Sequence, residues 1–201
     1  MSASISDPEE VWQHVWNQLS RAVHDPKHPF RTPVFATSSS ASHPRSRTLV
    51  LRKALRHPGQ LWCYTDRRSD KARDLEEGSH RACWTFWHPR QRLQVVTAGA
   101  TDWLNAGETA EIFAALPKHS RRSYATQIPP GSRLAAPGDG LPPDWETLDT
   151  KETDYAAPHF GVLVTTLLEM DILLLDREGH RRLKASRTAA TDTWEKYWVV
   201  P

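Results

Sequence analysis

The chain is poor in cysteine, with two among 201 residues, and Cys63 and Cys83 form no Cys-x-x-Cys pair. That excludes a disulfide-built scaffold and a thiolate metal site. Both lie in apolar, strand-like runs, so two reduced, buried thiols are expected. The ten histidines fall in no metal-ligand spacing, and no metal is expected. Charge of one sign is lacking too. The 26 basic and 24 acidic residues leave a net charge of +2, far from the excess of a dedicated nucleic-acid binder. Arg67-Arg68, Arg121-Arg122 and Arg181-Arg182 accordingly read as solvated surface. No apolar run approaches the ~18 residues of a membrane span. Met1 to Asp7 lacks the basic start and apolar stretch of a signal peptide. These absences predict a soluble, cytoplasmic protein that binds neither membrane nor nucleic acid. No nucleophile with a neighbouring base and no acid–base pair stands out, so no catalytic residue is assigned.

What is present is a single domain over residues 1–201, with 38% hydrophobic and 25% charged residues, long enough to bury one core. Residues 7–24 predict an amphipathic helix. Asp7 can cap it, Pro8 suits its first position, Glu10 completes a capping box, and Val11, Val15, Leu19 and Val23 form its apolar stripe beside Trp12 and Trp16. From Phe30 the periodicity shifts toward two. Strands are predicted over Thr32–Ser38, Arg47–Arg56, Leu61–Thr65, Arg81–Trp87 and Leu93–Trp103, with a turn at His57-Pro58-Gly59-Gln60. Helices are expected over Ser69–Glu77, ended by Gly78, over Gly107–Leu116, ended by Pro117, and over His119–Thr126. Residues 128–159 crowd proline and glycine into a long loop of the kind that is functional or disordered. Strands resume over Phe160–Thr166, Met170–Leu175 and His180–Ser186. Many short strands with few helices predict a mainly β fold, a β-barrel with peripheral α-helices. Nine tryptophans are a high count. Trp62, Trp84, Trp87 and Trp103 are expected in the core or at an interface rather than against a cofactor.

The most informative stretch runs from Arg47-Thr48-Leu49-Val50-Leu51-Arg52 through Tyr64-Thr65 to Ser69-Asp70-Lys71. An apolar strand is bracketed by arginines, and a second strand feeds a helix start rich in hydroxyls. Such a layout can gather fixed cations and N–H donors around a phosphate carried on a flat, apolar ring. Arg47 is the strongest phosphate candidate, because a guanidinium fork grips two oxygens at once. Lys71 would add a point charge, and Ser69 can cap the helix. Gln94 stands in the apolar run Leu93-Gln94-Val95-Val96, where a buried amide needs a partner. An outward-facing position in an alternating strand is the other reading of this residue.

Arg-x-Leu-Val-Leu-Arg, Tyr-Thr, Ser-x-Lys and Leu93-Gln94-Val95 resemble, in order and spacing, the pyridoxamine 5′-phosphate oxidase family. The resemblance covers roughly residues 30–127 and, loosely, the last forty. It implies an FMN-binding split β-barrel, a homodimer with FMN at the subunit interface, and cofactor contacts from Arg47, Thr48, Leu49, Val50, Leu51, Arg52, Tyr64, Thr65, Ser69, Asp70, Lys71, Gln94 and Gln127. It further implies that Ser120, Arg182 and Lys184 meet a small-molecule substrate. The chain departs from the family where the authentic oxidases hold their substrate phosphate with a tyrosine and an arginine, because Ile112 and Leu116 stand at those positions. A family Arg-x-His becomes Arg182-Leu183-Lys184. A family tryptophan against the flavin becomes a leucine, Leu173 or Leu174. Together these imply an FMN-dependent oxidoreductase with a substrate other than pyridoxine phosphate. A non-catalytic flavin carrier or sensor and an authentic pyridoxamine/pyridoxine 5′-phosphate oxidase are the alternatives.

Overall fold

A computed structural model describes residues 7–38, 43–188 and 193–201; the reading of residues 1–6 lies outside them. The architecture is mainly β, a curled antiparallel sheet flanked by short helices. Helix α1 (Pro8–His24) starts where Asp7 Oδ1 accepts the backbone N–H of Glu9 at 2.8 Å. Its buried face includes Val11, Trp12, Val15, Trp16 and Leu19. That stripe packs onto one side of the barrel core, where Trp84, Phe35, Phe86 and Leu93 are fully enclosed.

The strands are β1 (Val34–Thr37), β2 (Arg45–Thr48), β3 (Leu51–Leu55), β4 (Gln60–Asp66), β5 (Arg81–His88), β6 (Leu93–Trp103), β7 (Phe160–Leu174), β8 (Arg181–Ser186) and β9 (Glu195–Val199). Their order is β2-β1-β5-β6-β7-β4-β3, with β8 and β9 added beside β7. The run Arg47–Arg56, expected as one strand, is therefore two. Its first half pairs with β1 and its second with β4, at opposite ends of the strand order. Only Leu49 and Val50 separate them, so these two residues close the barrel.

Two expected strands, Phe160–Thr166 and Met170–Leu175, are instead one fifteen-residue strand. β7 is the spine of the fold. It pairs with β6 along one edge, and along the other with β4 through Phe160–Thr166, then β8 through Glu169–Leu174. A bulge lets it bend, since Ala98 faces Glu169 while Gly99 faces Leu167. A Cβ on Gly99 would lie 2.1 Å from the Thr166 carbonyl oxygen, which only glycine permits.

Helix α2 (Asp70–Glu77) follows β4, and α3 (Ala106–Ala114) and α4 (Lys118–Arg121) follow β6. With the 3₁₀ turns Arg122–Tyr124 and Glu152–His159, α3 and α4 cover a second apolar cluster of Trp62, Phe113, Tyr124, Trp145 and Phe160, whereas Leu75 of α2 joins the barrel core. Arg121, expected at the surface, is 2% exposed. Its guanidinium donates to the carbonyls of Phe113, Ala114, Leu116 and Thr150 and to Thr153 and Asp154. Helix ends carry unpaired carbonyls that need donors, and this buried arginine supplies them. Cys63 is buried as expected, with its thiol pushed up to about 12 by burial. Cys83 is only half-buried, because it faces outward on β5.

Candidate functional site

The junction of β4 with α2 gathers the phosphate candidates. Ser69 is the N-cap of α2, and its hydroxyl donates to the Asp66 carbonyl at 2.7 Å. The Lys71 ammonium turns back to donate to Thr65 Oγ1 at 2.9 Å and Ser69 Oγ at 3.0 Å. An ammonium has three donors, so these contacts leave it capacity for an anion. Burial holds its pKa below the usual lysine value, and the nearby Arg47 guanidinium pushes it the same way. Arg47 is itself fixed, with Nη1 donating to Thr37 Oγ1 at 2.7 Å and to the Arg45 carbonyl at 3.1 Å. Arg47 Nη2 stands 3.9 Å from the buried Asp74 carboxylate. Asp74 is already gripped by Arg45 and accepts from Thr37 at 2.8 Å, so it takes up Arg45 rather than Arg47. Two cations pressed together in a half-buried place form an arrangement that a phosphate stabilises.

Beside this cluster lies a pocket of about 370 Å³, within the size range of small-molecule sites. Thr48, Leu49, Val50, Arg52, Tyr64, Thr65 and Lys71 all line it. The barrel-closing segment thus forms one wall and β4 another. Arg52 lies 4.9 Å over the Tyr64 ring. Its buried Nε has no hydrogen-bond partner among the described residues, an orphaned donor that a ligand would satisfy. Fixed cations at one end, an unsatisfied Arg52 Nε and an aromatic wall fit a phosphate-bearing flavin. Arg47, Ser69 and Asp70 flank the pocket without lining it, and Leu51 turns into the core.

Sequence reasoning missed Thr32, Asp66, Ser123, Tyr124 and Pro130, which also line the pocket. Asp66 adjoins the Tyr-Thr pair, and Thr32 leads into β1. Ser123, Tyr124 and Pro130 come from the loop side, where no periodicity marks a wall. Tyr124 is 6% exposed and packs edge-on against Phe160, which packs against Tyr64.

The remaining candidates are elsewhere. Gln94, Leu173 and Arg182 are register partners across β6, β7 and β8, so they share one outer face. Val96, Asp171 and Lys184 form the next row on that face. Arg182 Nε and Nη2 donate to the two Asp171 oxygens at 2.9 and 2.7 Å, and Lys184 lies 4.0 Å from the same carboxylate. This face is at the end of β7 opposite to Val162, the register partner of Tyr64. Of the two leucines considered, Leu173 is on it, whereas Leu174 packs against the core. Gln127 is exposed, with its N–H donating to the Gly140 carbonyl at 2.8 Å, and Ser120 is in α4.

The family model described as pyridoxamine 5′-phosphate oxidase, FMN-binding domain, matches residues 12–104. Over these residues the chain is similar to that FMN-binding family. The matched region holds the β4–α2 cluster and Gln94, but not Ser120, Gln127, Arg182 or Lys184. A curated pyridoxine/pyridoxamine 5′-phosphate oxidase of Frankia alni is 34% identical over 99 residues, which are 47% of this chain and 40% of that protein. The chain also superposes on solved structures. A pyridoxamine 5′-phosphate oxidase-related, FMN-binding protein of Nostoc punctiforme gives a TM-score of 0.71 at 21% identity, over 94% of this chain and 97% of that one. PhzG of Burkholderia lata, solved with tetrahydrophenazine-1-carboxylic acid, gives 0.69 at 16% identity, over 98% and 94%. These two likenesses establish the split-barrel fold. Among the described residues no helix is long and apolar enough to cross a membrane, and no three metal-binding side chains come together.

Proposed function

We propose that the protein is an FMN-dependent oxidoreductase acting as a homodimer on a small molecule. The observation that carries the reading is the separation of the two groups of candidates. The phosphate cluster and pocket are at one end of β7, and Gln94, Arg182 and Lys184 are on an outer face at the other. One copy cannot bring both to one ring, whereas a second copy can present its outer face to the first copy's pocket. That face suits burial, since Ala36, Cys83, Ala98 and Val96 give it a smooth, weakly polar middle and Trp87 is 43% exposed.

In this reading Arg47 and Lys71, with the Thr65 and Ser69 hydroxyls, hold the phosphate. Arg52 and Tyr64 set the ring against the barrel-closing segment. FMN, when bound, supplies the redox chemistry itself. The chain's own residues bind, orient and exclude water. Lys184 of the facing copy offers the less committed cation, because Asp171 takes up Arg182. The vitamin-phosphate activity is disfavoured by Ile112 and Leu116, which pack into the second apolar cluster where a phosphate would need cations.

Titration with FMN, read by flavin fluorescence, tests the cofactor site, and no binding at about tens of micromolar would end the reading. Reoxidation of the reduced complex separates an oxidoreductase from a carrier. An enzyme accelerates it with some acceptor beyond the rate of free FMN, and a carrier with none.

A further inference from the structure

Residues 127–140 form a closed loop whose neck is tied in three places. The Gln127 N–H donates to the Gly140 carbonyl at 2.8 Å, Arg122 pairs with Asp139 at 2.7 Å, and Arg68 donates to the Thr126 carbonyl and hydroxyl, each at 2.9 Å. Arg68 also grips both oxygens of Asp66, a wall of the cofactor pocket, at 3.0 and 2.7 Å. One guanidinium therefore fixes the loop to the phosphate-side turn. Inside the loop is a second chamber of about 320 Å³. It shares Ser123 and Pro130 with the cofactor pocket, so the two are neighbours across a common wall.

We propose that this chamber is a binding subsite for a neutral compound of one or two rings, seated beside the cofactor. The proposal deepens the flavin reading and rests on it for the identity of the neighbouring ligand. The chemistry of the walls selects the class. Ile128 and Leu134 offer apolar surface at 39% and 43% exposure, and they lie against Gly140 and Gly138 respectively. The one charged wall residue is Asp139, already engaged by Arg122 and by the Leu141 N–H at 3.1 Å. Arg68 is committed to Asp66 and Thr126, and the loop's other cation, Arg133, is exposed and not part of the wall. An anion would meet a carboxylate with no free counter-charge, whereas a neutral ring loses little on entering.

The probe is 2-methyl-1,4-naphthoquinone, titrated calorimetrically into the oxidised protein with and without FMN, while flavin fluorescence reads FMN affinity separately. The quinone should bind the FMN-loaded protein. Leu134→Glu should weaken it by about tenfold or more, Leu134→Met should keep it within about twofold, and all three proteins should hold FMN equally. The 2-carboxylate of 1,4-naphthoquinone should bind about tenfold more weakly than the neutral probe. Equal binding to Leu134→Glu, preference for the carboxylate, or no binding to the loaded protein would overturn the proposal. Failure to bind FMN would overturn the cofactor reading instead, and quinone binding to the free protein would still test the chamber.

Discussion

Gln94 and Arg182 lie on either side of Leu173 in a single row across the outer face of the barrel. In the same face, Val96 is the register partner of Asp171, the carboxylate that holds Arg182. In the proposed dimer a second copy brings that face to the pocket, where these residues would meet the flavin. Val96→Glu places a charge in the middle of the face without entering the barrel core, since Val96 is only half-buried. It should convert a dimer to a monomer in sedimentation and weaken FMN together with dimerisation. A monomer that holds FMN as tightly as wild type would remove the interface from the site.

Arg47→Ala should weaken FMN far more than riboflavin, which lacks the phosphate. Losing a charge-assisted contact costs about 2–3 kcal/mol, or roughly 30–150-fold in affinity. The neighbouring groups sharpen the comparison. Thr37 and the Arg45 carbonyl fix the guanidinium, so its removal leaves Lys71 as the remaining cation of the cluster. Equal losses for the two flavins, measured by fluorescence titration, would move Arg47 away from the phosphate.

Acid should loosen the seam between α1 and β5 before the carboxylates titrate. His28 and His88 are 6% and 8% exposed, with ring centroids 5.6 Å apart. His28 Nδ1 accepts from the Phe30 N–H at 3.1 Å, and Nε2 faces Gln18 Oε1 at 2.9 Å, so both nitrogens are used in the neutral form. Burial lowers both pKa values, and the nearby cationic forms of His88 and His14 push the same way. As pH falls through the unfolded value of about 6.5, the unfolded chain takes up protons first. Stability is therefore intact above that point and lost below it, toward the lower folded values. The urea midpoint should fall between about pH 7.5 and pH 5.5, and less so in the His28→Gln, His88→Gln variant. A flat profile in wild type would show that these histidines do not titrate in this range.

The fold was legible where local pattern and tertiary role agree. Leu93, Gln94 and Val95 alternate apolar and polar, and the structure buries Leu93 and Val95 while Gln94 faces outward. Beyond Val96 the alternation of burial continues, although Thr97 and Thr101 take the inner positions. Ser69 marks the N-cap position of α2 as expected, although its hydroxyl turns back to the Asp66 carbonyl instead of capping the helix N–H groups, and the flavin motif falls where helix start and strand end converge. The misses have physical causes. Nothing local marks the break at Leu49-Val50, because closing a barrel is a relation between its two ends. Leu167 and Leu168 are adjacent apolar residues and Glu169 follows at the bulge, so periodicity slips by one and reads as a gap. That slip also left Leu173 and Leu174 indistinguishable until the register was known. Arg121 reads as surface because its partners are main-chain carbonyls, which no sequence pattern displays.

Arg121→Met keeps the aliphatic volume and removes every one of those bonds. Several buried carbonyls would lose their donor, at roughly 1–3 kcal/mol for each left unmet, so a total loss of at least about 3 kcal/mol is expected. For a chain of this size that lowers the melting temperature by about 6 °C or more. A decrease below about 2 °C would mean that water replaces the guanidinium without cost.

Pyridoxine 5′-phosphate turnover by the unmodified protein should be negligible. A phosphate dianion entering a partly dry pocket needs fixed cations. Leu116 and Ile112 pack instead against the cluster of Phe113, Trp145 and Phe160. Arg121 cannot stand in, because its nitrogens are spent on carbonyls and on Asp154. Ile112→Tyr with Leu116→Arg should tighten pyridoxal 5′-phosphate binding or yield detectable turnover, at the cost of a lower melting temperature as the apolar cluster loses two members. Both are read in one experiment, a turnover assay with a thermal melt of the same preparations. Efficient turnover by the unmodified chain would mean that another cation reaches the substrate phosphate. Arg122 is the candidate to test next, since it is half-exposed and its partners Asp139 and Glu146 are on the surface.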